Sequence, residues 1–127
     1  MSKKSFDCYL VSLATSISSA GTIVICGLFN ALIHIHELET GKELHKLKGH
    51  TGPVWCLALS HSRKHLASGS RDNTARLWSM DTFDQLNVLQ VEDCEVYALC
   101  FSTDDQRLFT GSGDGKHLQR RSIKDES

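Results

Sequence analysis

The chain has 127 residues, one domain's worth of mass, with 40% hydrophobic and 23% charged residues, which is the balance of an ordinary globular chain. Its net charge is -1, and its basic residues are scattered apart from the short pairs Lys3-Lys4 and Arg120-Arg121. A domain that lives on nucleic acid usually shows a basic face and a high pI, and this scatter does not point to one, so a nucleic-acid partner is not indicated.

Residues 1–7 read as an N-terminal tail. From Cys8 to Ile35 there is no Asp, Glu, Lys or Arg, and Lys3-Lys4 precedes the run, which imitates a membrane anchor long enough to span a bilayer. The same run contains Ser12, Thr15, Ser16, Ser18, Ser19, Thr22 and Asn30, with Gly21 and Gly27, whereas a spanning helix is more uniformly apolar. Anchoring through residues 8–35 is therefore the lesser alternative, and no membrane partner is indicated. His34 and His36 alternate onto one face of a strand at a spacing that a metal could use. No third or fourth ligand stands nearby at a convincing spacing, so no metal and no cofactor are expected.

Glu39-Thr40-Gly41-Lys42 is a turn ahead of a strand from Glu43 to Leu47. Short apolar runs at Val54 to Leu59 and His65 to Ser68 flank the polar turn Ser60 to Lys64. Arg71-Asp72-Asn73 is a second turn, then Thr74 to Trp78 a strand, Asp81 to Asp84 a third turn and Gln85 to Leu89 a strand. Gly111-Ser112-Gly113-Asp114-Gly115 looks like a phosphate loop, but the lysine-serine and helix of such a loop are missing, and it reads as a tight turn. No segment holds helical periodicity over about ten residues. The five cysteines (Cys8, Cys26, Cys56, Cys94 and Cys100) are odd in number and never spaced C-x-x-C. Reduced core thiols in a cytoplasmic or nuclear compartment fit that usage best.

The chain repeats itself at an offset of 42 residues. Over the 25 pairs from Val54 to Trp78, seven are identical: Val54, Leu57, Ser60, Leu66, Gly69, Ser70 and Asp72 have the same residue 42 positions later. Backwards, Gly69 falls on Gly27, Asp72 on Asn30, Leu77 on Ile35 and Trp78 on His36. About three units follow: a diverged one over 8–47, a well-formed one over 48–89, and a partial one with a polar tail over 90–127. Four short strands every 42 residues, with hairpin turns between them, suggest one propeller blade per unit.

Gly49-His50, Leu66-Ala67-Ser68-Gly69-Ser70-Arg71-Asp72 and Arg76-Leu77-Trp78-Ser79 strongly resemble the signature of the WD-repeat β-propeller family. The resemblance implies an all-β fold of about three four-stranded antiparallel blades forming an incomplete ring. It also implies that His50, Ser68, Asp72 and Trp78 form a buried hydrogen-bond network, with the indole N–H donating to Ser68, Ser68 to His50, and His50 to Asp72. In the third unit Glu92, Thr110, Asp114 and Arg120 stand at these positions, and in the first Cys26, Asn30 and His36 take the last three. Only the middle blade is expected to hold the full network, with the outer two less stable and less cooperative. Ser, His and Asp together suggest a hydrolase triad, but no G-x-S-x-G elbow is present and Ser68 lies within a strand, so no catalytic residue is assigned.

Three blades cannot close a ring that needs about four to eight. The remaining blades must come from a longer chain, from further copies by self-association, or from a partner. The resemblance implies partners, proteins or peptides, docking where the first strand of a blade meets the turn before the aspartate. Carried onto this sequence, those positions are Pro53, Trp55 and Arg71 in the middle unit and Glu95, Tyr97 and Gly113 in the third, with Leu13 and Phe29 in the first. Trp55 and Tyr97 are equally readable as packing between blades. The expected function is a non-catalytic scaffold or adaptor. The alternative is an accessory or substrate-recognition module of a larger enzyme complex, for example a ubiquitin ligase.

Overall fold

The computed structural model describes residues 10–18, 21–91, 95–112 and 118–122. All regular structure among them is strand. The first blade contains β1 (Leu10–Ser18), β2 (Gly21–Leu28), β3 (Ile33–Glu37) and β4 (Glu43–Leu47). The second contains β5 (Val54–Leu59), β6 (His65–Ser70), β7 (Thr74–Ser79) and β8 (Gln85–Gln90). The third contains β9 (Val96–Phe101), β10 (Arg107–Ser112) and β11 (Leu118–Ser122). Each blade is an antiparallel meander whose strands pair in chain order. The described part of the apolar run that imitates an anchor is thus folded as β1, β2 and the start of β3, and among the described residues no helix is long and apolar enough to cross a membrane.

The hairpins share one geometry. Asn30 and Asp72 each accept, through Oδ1, the N–H two residues on, from Leu32 at 3.1 Å and Thr74 at 3.0 Å. The residue between them, Ala31 or Asn73, takes a left-handed φ of 79° or 70°. Such Asx turns reverse the chain without a fixed turn sequence, which is why Asn and Asp exchange at this position. Left-handed positions recur at the repeat distance elsewhere: Gly21, Arg63 and Asp105 in the first hairpins, Gly41 and Phe83 in the third.

Alternation along the strands builds the core between blades. Ile23, Ile25, Ile33 and Ile35 pack with Val54, Leu66 and Trp78 to join the first blade to the second. On the other side of the middle blade, Ala67 and Leu77 pack with Phe101 and Leu108 of the third. Burying each such aliphatic side chain is worth about 1.5–3 kcal/mol, so these two layers dominate the cohesion. The first strands β1, β5 and β9 stand side by side. Gly27 and Gly69 allow that approach. A Cβ at Gly27 would lie 2.9 Å from Val54 Cγ1, and one at Gly69 would lie 2.5 Å from Val96 Cγ1. Among the described residues the sheets do not close into a ring.

Two expectations need correction. The strands from His65, Thr74 and Gln85 run to Ser70, Ser79 and Gln90, because backbone pairing (Val54 with Ser70, His65 with Ser79) continues past the last apolar residue. The described cysteines are free thiols but not all core: Cys26 is buried, Cys56 half-buried and Cys100 exposed. Cys100 and Ala98 lie on the face of β9 opposite Leu99 and Phe101, which pack on the second blade. Burial pushes the Cys26 thiol up, and takes Cys56 to about 12 although a hydrogen bond from the Gly69 backbone opposes it. Neither is poised as a nucleophile.

Candidate functional site

The middle blade holds a buried polar chain. Trp78 Nε1–H donates to Ser68 Oγ at 2.8 Å, Ser68 Oγ lies 2.6 Å from His50 Nε2, and His50 Nδ1 lies 2.9 Å from Asp72 Oδ2. Because the Asp72 carboxylate can only accept, the imidazole proton is assigned to Nδ1, and the Ser68 hydroxyl, which accepts from the indole, donates onward to Nε2. Asp72 also accepts from Thr51 N–H at 3.0 Å, and from the N–H and hydroxyl of Thr74 at 3.0 Å and 2.6 Å. Burial alone would raise the Asp72 pKa. The hydrogen bonds from His50, Thr74 and Thr51 outweigh it and hold the carboxyl well below the ordinary 3.8. Ser68 is fully buried and its oxygen is already engaged twice, so it has no route to attack a substrate. Thr74 was not foreseen: the signal for it is an Asx turn two residues after Asp72.

In the outer blades the corresponding set is incomplete among the described residues. Cys26 and Thr110 are buried, and His36 Nδ1 turns to the Gly41 carbonyl at 3.2 Å. Glu92, Gly113, Asp114 and the phosphate-loop imitation at 111–115 lie wholly or mostly outside the described residues, as do the side chains of Leu13 and Arg120.

A second assembly lies where the blades begin. The β5–β6 and β9–β10 registers each skip one residue, between Val54 and Cys56 and between Val96 and Ala98. The skipped residues are Trp55 and Tyr97, and a bulge of this kind re-aims its side chain. Their rings stack across the two blades, 5.5 Å between centroids and 8° between planes. Phe29, on the β2–β3 turn, meets Trp55 edge-on at 6.4 Å. One carboxylate oxygen, Glu95 Oε1, accepts from both Trp55 Nε1–H at 2.8 Å and Tyr97 O–H at 2.9 Å. That bond raises the Tyr97 phenol pKa, while the charge of nearby Arg71 opposes the rise. Phe29 and Tyr97 are each 48% exposed, and Arg71 is exposed.

The structure therefore brings Trp55, Tyr97 and Glu95 together in direct contact, with Phe29 beside Trp55 and Arg71 at the edge. Pro53 does not join them as a contact residue. It is buried beneath the turn, where its carbonyl accepts from Arg71 N–H at 3.1 Å. The pairing of Glu95 with the two rings was invisible in sequence, because Trp55 and Glu95 are 40 residues apart.

The description "WD domain, G-beta repeat" matches residues 41–79 and 83–116, together more than half of the chain. The chain belongs to the WD40 repeat family. Among WD40-containing relatives, Periodic tryptophan protein 2 of Saccharomyces cerevisiae is 35% identical over 119 residues, 94% of this chain and 11% of that protein. Eukaryotic translation initiation factor 3 subunit I of Xenopus laevis is 39% identical over 83 residues, 59% of this chain and 26% of that protein. The chain thus spans about a tenth to a quarter of the length of these relatives. The structure of U3-55K superposes with a TM-score of 0.86 at 21% identity, over 98% of this chain and 39% of that one. The RRP9 WD40 repeats give 0.84 at 21% identity, over 98% and 38%. These WD40 likenesses establish the propeller fold.

Proposed function

We propose that the chain is a non-catalytic protein-binding module, and that it holds its partner on the aromatic row Phe29, Trp55 and Tyr97, flanked by Arg71 and Glu95. The observation that carries this reading is the stacked Trp55–Tyr97 pair, tied by Glu95 and half open to solvent at the bulged start of two adjacent blades. Rigid aromatic side chains give a large contact area at low entropic cost, and Trp, Tyr and Arg are enriched among residues that dominate binding energy. Glu95 fixes both rings before a partner arrives, so little ordering remains to be done on binding. Arg71 adds a planar donor fork suited to a carboxylate or phosphate on the partner. Among the relatives, one is by name a subunit of a translation initiation factor, which fits a module that works inside an assembly. A reducing compartment, cytoplasm or nucleus, suits its free thiols.

The test is quantitative affinity purification on wild type, Arg71→Ala and Tyr97→Ala, with circular dichroism to verify the fold. Both substituted residues are exposed, and each variant is expected to weaken the same interactions about tenfold or more. Undiminished binding by both folded variants sinks the reading.

A further inference from the structure

The outer part of the first blade carries a cluster that the partner-binding surface does not use. His34 and His36 lie on one face of β3, with ring centroids 5.8 Å apart. The β3–β4 register sets Glu43 opposite His36, and Glu43 Oε1 is 3.8 Å from His34 Nδ1. One ligand atom from each of the three residues lies within 4.8 Å of the other two. We propose that His34, His36 and Glu43 form a binding site for a divalent transition-metal cation of the zinc type.

The chemistry of the donors supports this. A tetrahedral ion with bonds of about 2.0–2.2 Å sets neighbouring ligand atoms about 3.4 Å apart, so the widest separation must close by about 1.4 Å. The His34–Glu43 separation of 3.8 Å is already near that spacing, and Glu43, whose side chain is 41% exposed on an edge strand, is free to adjust its reach. His36 is oriented as ligating histidines are: Nδ1–H donates to the Gly41 carbonyl at 3.2 Å, which leaves Nε2 as the basic nitrogen. His34 is 12% exposed. Lys46 is the competing charge, with Nζ 3.9 Å from Glu43 Oε2, but it is 47% exposed on a flexible stem and is released at little cost. Two imidazoles and one carboxylate leave a fourth position for water or a partner's side chain.

The other blades show that the fold does not demand these residues. At the same offset the middle blade has Arg76, Trp78 and Gln85, with Arg76 donating to Gln85 at 2.9 Å across the same bulged β7–β8 pair. The third unit has Leu118 and Arg120 at the histidine positions. A blade of this kind thus folds without ligating residues, and the first blade carries three.

The experiment is calorimetric titration of the reduced 127-residue chain with Zn2+, and with Co2+ followed by visible absorption. It is run on wild type, on the double variant His34→Arg/His36→Trp, which installs the middle blade's own residues, and on Glu43→Gln. Wild type is expected to take up one equivalent and give the absorption of four-coordinate Co2+. The double variant should lose that equivalent, and Glu43→Gln should bind about tenfold or more weakly. An unchanged stoichiometry in the double variant overturns the proposal, as does a thiolate-to-cobalt charge-transfer band, which would put the ion on the cysteines. Should the double variant fail to fold, Glu43→Gln on the exposed edge decides alone: unaltered affinity there rejects the site.

Discussion

At the scale of single residues, Asp72 shows how one carboxylate closes a blade. It gathers His50, Thr51 and Thr74 from two sides of the β6–β7 turn, and its pKa is lowered by doing so. The sign of the linkage follows. An unfolded Asp72 would bind a proton near 3.8, while the folded one resists until the pH is lower. Its contribution is therefore complete above that value and is lost as pH falls through and below it. Asp72→Asn keeps the volume but has one acceptor oxygen, so it cannot serve both His50 with Thr51 on Oδ2 and Thr74 on Oδ1, and each hydrogen bond to a charged group is worth about 1.5–3 kcal/mol. The expected result is destabilisation of at least that size by urea unfolding at pH 7, with the difference from wild type shrinking between about pH 4.5 and pH 2.5. A constant difference across that range would show that Asp72 is not the titrating group. The chain from His50 to Trp78 was reached through the resemblance of the repeat signature, with which its complementary donors and acceptors agree. The part of Thr74 in it was not, since it joins through a local turn, and Glu95, placed at the rim by the resemblance, gave no sign of its bonds to both rings, which cross between blades.

Among the elements, the repeat is set by how closely successive first strands approach. Gly69 is identical to its counterparts on either side because a Cβ there would lie 2.5 Å from Val96 Cγ1 and 2.6 Å from Cys56 Sγ. Gly69→Ala should therefore cost about 1–3 kcal/mol from overpacking, without any loss of hydrogen bonds. The additional substitution Val96→Ala, which removes the crowding methyl groups, should recover part of that cost. A double-mutant cycle in denaturant measures it, and strictly additive losses would place the strain elsewhere. Strand positions were readable from runs of apolar residues between turn formers, to within two residues at each end. The edges between strands were less so. Nothing in the spacing of His34, His36 and Glu43 reveals that a bulge at Ile35/His36 sets the carboxylate opposite the second imidazole. Sequence spacing finds ligands on one strand, whereas pairing register finds them across two.

For the whole molecule, the order of the blades decides the order of stability. The middle blade is the only one of the three with a described neighbour on both faces, and β6 and β7 are buried almost throughout. The third blade leaves Ala98 and Cys100 exposed, and β4 of the first is exposed along four of its five residues. In a repeat array each unit depends on its neighbour's interface, so a unit with one interface opens before a unit with two. Polar clamps support the same ranking: Asp105 in the third blade accepts from His61 and Ser62 of the second at 2.9–3.0 Å, a tie at the exposed end of the hairpins. Hydrogen exchange on the 127-residue chain should thus show the slowest amides in β6 and β7, and faster exchange in β9, β10 and β4. That three units leave the ring open was inferable from the repeat count, but this gradient was not, because it depends on which faces find a neighbour. If β2 or β10 outlasted β6 and β7, some contact beyond the three blades, such as a second copy, would be covering an outer face. The exchange pattern would then depend on protein concentration, whereas an intramolecular gradient stays fixed on dilution.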